Sequence, residues 1–84
     1  MIIQSVTRNG AQIAPNDDEK FSRWVWADQV HNAIKWIRND ANVAGNAQLC
    51  TGITVYEDEA VDLLNRIQRA AALATQRSIT GRAS

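Results

Sequence analysis

The sequence has little of what usually reinforces a small domain, with one cysteine and one proline in 84 residues. Because Cys50 is the only cysteine, no intramolecular disulfide can form, and there is neither a CxxC pair nor a cysteine–histidine set for zinc. Such usage is typical of a reducing compartment. Unless it associates with a partner or a second copy, a chain this short is expected to have only about 3–5 kcal/mol of stability.

Charge of one sign and long apolar runs are also missing. Nine basic and nine acidic residues give a net charge of zero, which disfavours a protein built mainly to hold nucleic acid, since phosphate neutralisation supplies most of that affinity. No apolar run approaches the roughly 20 residues that span a bilayer, and residues 1–5 lack the features of a signal peptide. We expect a cytoplasmic protein that does not associate with membranes.

Catalytic and cofactor motifs are absent: the sequence contains no GxGxxG, P-loop, HExxH or GxSxG pattern. His31 follows Asp28 by one helical turn, but no spacing brings a nucleophile near this pair. The acidic run 57–59 with Asp62 lacks the oxygen-rich loop of a hard metal site, and attraction to a helix N-terminus explains it better. We therefore expect no enzymatic activity, no cofactor, no metal and no small-molecule substrate.

Residues 16–40 contain all three tryptophans and are predicted to form the central helix. Asn16 and Glu19 have the spacing of a capping box, and the acidic residues 17–19 suit a helix N-terminus. A strand over residues 21–26 is the alternative, because that stretch is aromatic and β-branched. At 100° per residue, the predicted core-facing stripe consists of Trp26, Val30, Ala33, Ile34, Ile37 and Ala41.

Residues 2–14 are predicted to form a β-hairpin. Asn9-Gly10 is the strongest short hairpin signal, since both central residues of a type I′ turn need positive φ. This loop would pair Val6 with Ile13 on one face. An isolated hairpin is marginal in water, so we expect it to cover an aromatic patch formed by Phe21, Trp24 and Val25.

A second helix is predicted over residues 55–76, with a capping box from Thr54 to Glu57. The intervening segment 41–54 is expected to pack down, with turns at Gly45 and Gly52, and a short third strand near residues 49–53 is an option. The fold class is α+β: an N-terminal β-hairpin and two long antiparallel α-helices in one domain (1–77), followed by a flexible tail (78–84). The stripe of the second helix comprises Tyr56, Ala60, Leu63, Leu64, Ile67, Ala70, Ala71 and Ala74.

Trp36 is the best candidate for a contact with a partner. It lies about 120° from the core-facing stripe, given the 3.6-residue helical period, and tryptophan is enriched at binding hot spots. Packing against residues 41–54 is the alternative. Arg66 and Arg69 on the second helix are weaker candidates, because acidic neighbours make a solvated face the simpler interpretation. The candidate partner-binding residues are Trp36, Gln29, Asn32, Lys35, Arg66 and Arg69.

The sequence favours a small non-enzymatic protein-binding module with a protein partner or a second copy of itself. By analogy with phage and mobile-element accessory proteins, we expect it to inhibit a host defence complex. The alternative is a dimeric nucleic-acid-binding or transcription-regulatory protein. Nucleic acid is the less favoured partner, because the acidic residues 57–59 would repel phosphate at the start of the second helix.

Overall fold

The computed structural model describes residues 1–16 and 19–83 and confirms the α+β class. Strands β1–β3 form an antiparallel sheet in that order, and β4 pairs with β5 in a separate antiparallel hairpin. No described helix is both long and apolar enough to cross a membrane. The elements are β1 (Ile2–Thr7), β2 (Gly10–Ala14), a 3₁₀ turn (Glu19–Phe21), β3 (Arg23–Trp26), α1 (Ala27–Asn39), β4 (Asn46–Gln48), β5 (Thr54–Tyr56) and α2 (Glu57–Ala83).

The predicted helix start at Asn16 is wrong, because residues 23–26 form strand β3. β3 pairs with β2, and its Val25 lies opposite Ala11, where both side chains are fully buried. This burial against a distant strand overrides the local signals for a helix. Two residues of the predicted first turn, Asp17 and Asp18, lie outside the described residues.

Helix α1 begins at Ala27 and has 13 residues, so it is shorter than predicted. The backbone N–H of Trp26 donates to Oε1 of Gln29 over 2.8 Å, which satisfies one donor at the helix start. The Trp26 side chain is 54% exposed, so its predicted place in the core is wrong, and Ala41 is exposed too. The rest of the stripe is confirmed by burial of Val30, Ala33, Ile34 and Ile37.

The β1–β2 hairpin is present, but its predicted turn and register are wrong. Thr7 pairs with Gly10, so the turn residues are Arg8 and Asn9, and Gly10 does not have positive φ. Glycine is needed there for another reason, since a Cβ on Gly10 would lie 2.1 Å from the carbonyl oxygen of Val25. The observed register pairs Ile2 with Ala14, Ile3 with Ile13, Ser5 with Gln12 and Val6 with Ala11, with a bulge between Ile3 and Ser5.

The segment between the helices packs down as predicted, but its strands lie elsewhere. β4 and β5 flank residues 49–53, so the optional strand over that range is wrong. Leu49 and Ile53 are buried at the two sides of the turn. Gly45 and Gly52 have φ of 75° and 87°, which confirms the two predicted turns and explains the choice of glycine.

Helix α2 begins at Glu57 and continues to Ala83, beyond the helix end predicted near residue 76. Instead of the Thr54–Glu57 capping box, the backbone N–H of Tyr56 donates to Glu59 over 3.3 Å, as Trp26 does to Gln29 in α1. Tyr56 is exposed and Leu64 is half-buried. α1 packs against α2, and the shared core consists of Ala11, Ile13, Val25, Val30, Ala33, Ile34, Leu49, Ile53, Val55, Ala60, Leu63 and Ile67.

Candidate functional site

Trp36 is an exposed aromatic residue on the side of α1 that faces β4. Its side chain is 61% exposed, so it does not pack beneath the 41–54 segment. Its neighbours Ala33 and Ile37 do face the core, which fixes the rotation of the helix and leaves the indole in the open. Trp36 lines a groove of about 650 Å³ between α1 and residues 42–50, called here the α1–β4 groove.

The α1–β4 groove is lined by both apolar and polar side chains and carries no charge among the described residues that line it. Its polar groups are mainly side-chain amides, and each amide can both donate and accept hydrogen bonds. The apolar part of the lining includes Trp36, Val43 and Leu49, and the exposed thiol of Cys50 also borders the groove. The five amide residues are Gln29, Asn32, Asn42, Asn46 and Gln48.

Some of these amides already serve the fold, and others remain available. The Gln29 oxygen holds the start of α1, and the Gln48 Nε2 donates to the carbonyl of Gly52 over 3.1 Å. The side-chain amides of Asn32 and Asn42 form no hydrogen bond with other described residues, and both residues are exposed. A ligand in the groove would therefore meet two free amides beside the Trp36 indole.

The structure divides the six predicted contact residues among three places. Trp36, Gln29 and Asn32 line the α1–β4 groove, whereas Lys35 lies in an adjoining groove that shares Trp36 and Asn32. The two arginines on α2, Arg66 and Arg69, are exposed and line neither groove, and the Arg66 Nε lies 3.0 Å from the carboxylate of Asp62.

The sequence did not predict the side of the groove that the segment between the helices provides. Asn42, Asn46 and Gln48 all lie there. The available signal was the density of amides between residues 42 and 48 in a stretch expected to pack down. Those amides could not be placed opposite Trp36 without knowing that residues 46–48 form a strand beside α1.

A second exposed aromatic cluster lies on β3. Trp24 and Trp26 form an edge-to-face pair with ring centroids 5.7 Å apart. They border a groove that also includes Val6 of β1 and the exposed Leu73 of α2. The sequence had predicted that Trp24 lies on a helix covered by the hairpin. It lies instead, half-buried, on a strand that pairs with the hairpin.

The charged residues that suggested chemistry lie on α1 and at the start of α2. His31 and Asp28 are both exposed, and the described residues include no group of three or more metal-ligating side chains. No protein-family model, curated protein or solved structure matches the chain. The exposed grooves and their lining residues are therefore the features that bear on function.

Proposed function

We propose that this protein is a non-enzymatic protein-binding module whose contact surface is the α1–β4 groove. The observation that carries the proposal is the 61% exposure of Trp36 within a groove rich in uncharged amides. Interface hot spots commonly combine a central aromatic anchor with a polar rim that excludes water once the partner is bound. The half-buried and exposed amides around Trp36 match that arrangement.

A protein partner suits the lining of the groove. Peptide groups present one donor and one acceptor each, and the free amides of Asn32 and Asn42 can satisfy both. The absence of charge among the described lining residues favours a neutral partner surface over a phosphate or a carboxylate. We propose that binding here blocks a surface of a host defence complex, as expected for a phage or mobile-element accessory protein acting in the cytoplasm.

The experiment compares two variants of equally conspicuous aromatic residues. Trp36→Ala removes the proposed anchor, and Tyr56→Ala is the matched control, because Tyr56 is 54% exposed and lies outside the α1–β4 groove. Tagged wild-type and variant proteins are used to capture partners from extracts of the source cells, followed by mass spectrometry. The proposal requires a protein captured by wild type and by Tyr56→Ala but lost with Trp36→Ala.

Two other outcomes would change or overturn the proposal. If sedimentation shows that wild type self-associates and that Trp36→Ala abolishes this, the partner is a second copy of the chain. If the captured proteins are the same for both variants and for wild type, the α1–β4 groove is not the contact surface. Melting temperatures of both variants are measured in parallel, so that loss of binding is not confused with loss of folding.

One observation favours a dimeric nucleic-acid-binding regulator as the second candidate. Residues 63–84 contain four arginines and no acidic residue, whereas all nine acidic residues precede them. The test is binding to short duplex DNA over a range of salt concentrations. Tight binding at physiological salt with a steep salt dependence would support this candidate, and the acidic start of α2 leads us to expect weak binding. The arginines are Arg66, Arg69, Arg77 and Arg82.

A further inference from the structure

Strand β4 has one edge paired with β5 and one edge free, and the hydrogen bonds around it show which backbone groups face each way. The N–H of Leu49 donates to Ile53 over 2.8 Å, and the N–H of Glu57 donates to the carbonyl of Gly45 over 3.1 Å. Bonded and non-bonded pairs alternate along an antiparallel ladder. Residues 45, 47 and 49 therefore face β5, and the backbone groups of Asn46 and Gln48 point away from it.

These outward groups are unpaired in the part of the chain that the structure describes. No hydrogen bond there uses the backbone N–H of Asn46 or Gln48. The other strand of this hairpin differs, because the outward N–H of Tyr56 is taken by Glu59. Asn46 and Gln48 both line the α1–β4 groove, so the free edge borders the same space as the Trp36 indole.

The free edge of β4 carries none of the sequence features that commonly block strand pairing. Proteins commonly block strand edges with a bulge, a charged side chain or proline. β1 has a bulge between Ile3 and Ser5, and β3 carries Arg23. The β4 sequence, Asn-Ala-Gln, has none of these devices. Among the described residues, its short length and the neighbouring helix α1 give partial protection, but the α1–β4 groove leaves space beside the edge.

We propose that the α1–β4 groove takes an extended segment of the partner protein, which adds to the free edge of β4 as a further strand. This inference rests on the proposed function and specifies how the partner is bound. Backbone groups of the segment form hydrogen bonds with those of Asn46 and Gln48. These bonds supply the part of the affinity that does not depend on the sequence of the segment. The Trp36 indole covers the segment from the α1 side, and the amides of Asn32 and Asn42 bond its remaining groups.

The same geometry disfavours a helical partner segment. A helix satisfies its backbone hydrogen bonds internally, so it would leave the N–H groups of Asn46 and Gln48 unpaired when it excluded water from the groove. An unsatisfied buried donor lowers affinity. The uncharged lining further favours segments whose central residues are neutral.

The test removes one outward N–H without touching the ladder between β4 and β5. Gln48→Pro deletes that donor at an edge position where proline is tolerated, and Gln48→Ala is the control that keeps the N–H and removes only the side chain. The probe is a displayed library of random linear peptides, selected on the full wild-type chain. Selected peptides should be β-rich and neutral, and they should bind Gln48→Pro about tenfold more weakly than they bind Gln48→Ala.

The outcomes separate this inference from the proposed function. If Trp36→Ala weakens the selected peptides and Gln48→Pro does not, the groove binds partners but not by strand addition. Selection of peptides with helical i, i+4, i+7 spacing, or of none, would also overturn strand addition. If neither variant affects peptide binding, both proposals fail.

Far-UV circular dichroism checks that each variant is folded. Asn46→Pro removes the other outward donor, and unfolding of both proline variants would mean that these N–H groups already serve the fold.

Discussion

Replacing Gly10 by alanine should be among the most destabilising single-methyl additions in this protein. An added Cβ would lie 2.1 Å from the carbonyl oxygen of Val25 and 3.0 Å from the Cα of Trp26. Carbon–oxygen contacts are normally about 3.3 Å or longer, so β2 and β3 would have to separate by roughly 1 Å. Both contacts involve backbone atoms, so a side-chain rotation cannot relieve them.

The expected cost follows from what that separation breaks. Overpacking in a well-packed region costs about 1–3 kcal/mol. The nearby bond from the N–H of Ala27 to the carbonyl of Asn9, 2.9 Å long, would also be strained, and each net hydrogen bond contributes about 0.5–1.5 kcal/mol. A total of about 3 kcal/mol is comparable with the whole stability expected for a chain of this size.

The assay is urea unfolding followed by circular dichroism, with two further variants for comparison. Gly45→Ala should cost only about 1–2 kcal/mol, because Gly45 has a φ of 75° but open space around it. Gly10→Asn distinguishes the two explanations for Gly10, because asparagine tolerates positive φ. The structure predicts that asparagine is as damaging as alanine. A milder effect of asparagine, or a Gly10→Ala stability within about 0.5 kcal/mol of wild type, would refute the close-approach explanation.

Three further predictions concern the core, a surface ion pair and the groove. Leu63→Ala should cost about 2–5 kcal/mol in urea unfolding because Leu63 is fully buried, and the half-buried Leu64→Ala should cost clearly less; the reverse order would mean that α2 is rotated differently. Glu57→Gln should cost less than about 1 kcal/mol, since the 2.8 Å pair with Arg38 is solvent-exposed, and a loss that persists in high salt would contradict this. Cys50 is exposed, so its thiol should react completely with a thiol reagent in the native protein, and a bound partner should protect it; equal reactivity with and without partner would contradict this location of the contact.

Local periodicity predicted the parts of the fold that depend on one helix face. The burial of Val30, Ala33, Ile34 and Ile37 follows from the 3.6-residue spacing. The same spacing placed Trp36 off the core-facing stripe but left open whether residues 41–54 cover it, and the structure shows it exposed. Residues 23–26 were harder, because their local signals fit either a helix or a strand. The strand is decided by the pairing of β3 with β2, which sets Val25 opposite Ala11. Local spacing along the sequence cannot predict such a contact between separate segments.

The turns show a similar limit. Asn9-Gly10 has the composition of a type I′ turn, but Gly10 is required by the approach of β3, which cannot be seen within the hairpin sequence. For the candidate site, the sequence supplied the α1 side, with Trp36, Gln29 and Asn32. The opposite side depends on β4, and three residues of mixed propensity give too weak a strand signal.

The central claim, that the α1–β4 groove is the contact surface for a protein partner, is tested most directly by one pair of affinities. The partner captured by the wild-type chain is titrated against Trp36→Ala and Tyr56→Ala, with the melting temperature of each variant measured under the same conditions. We predict that Trp36→Ala weakens binding by about 30-fold or more, the equivalent of a hot spot of 2 kcal/mol, with little change in melting temperature, and that Tyr56→Ala binds as wild type does. Equal affinities of the two variants, or a loss in Trp36→Ala that is fully explained by unfolding, would contradict the claim.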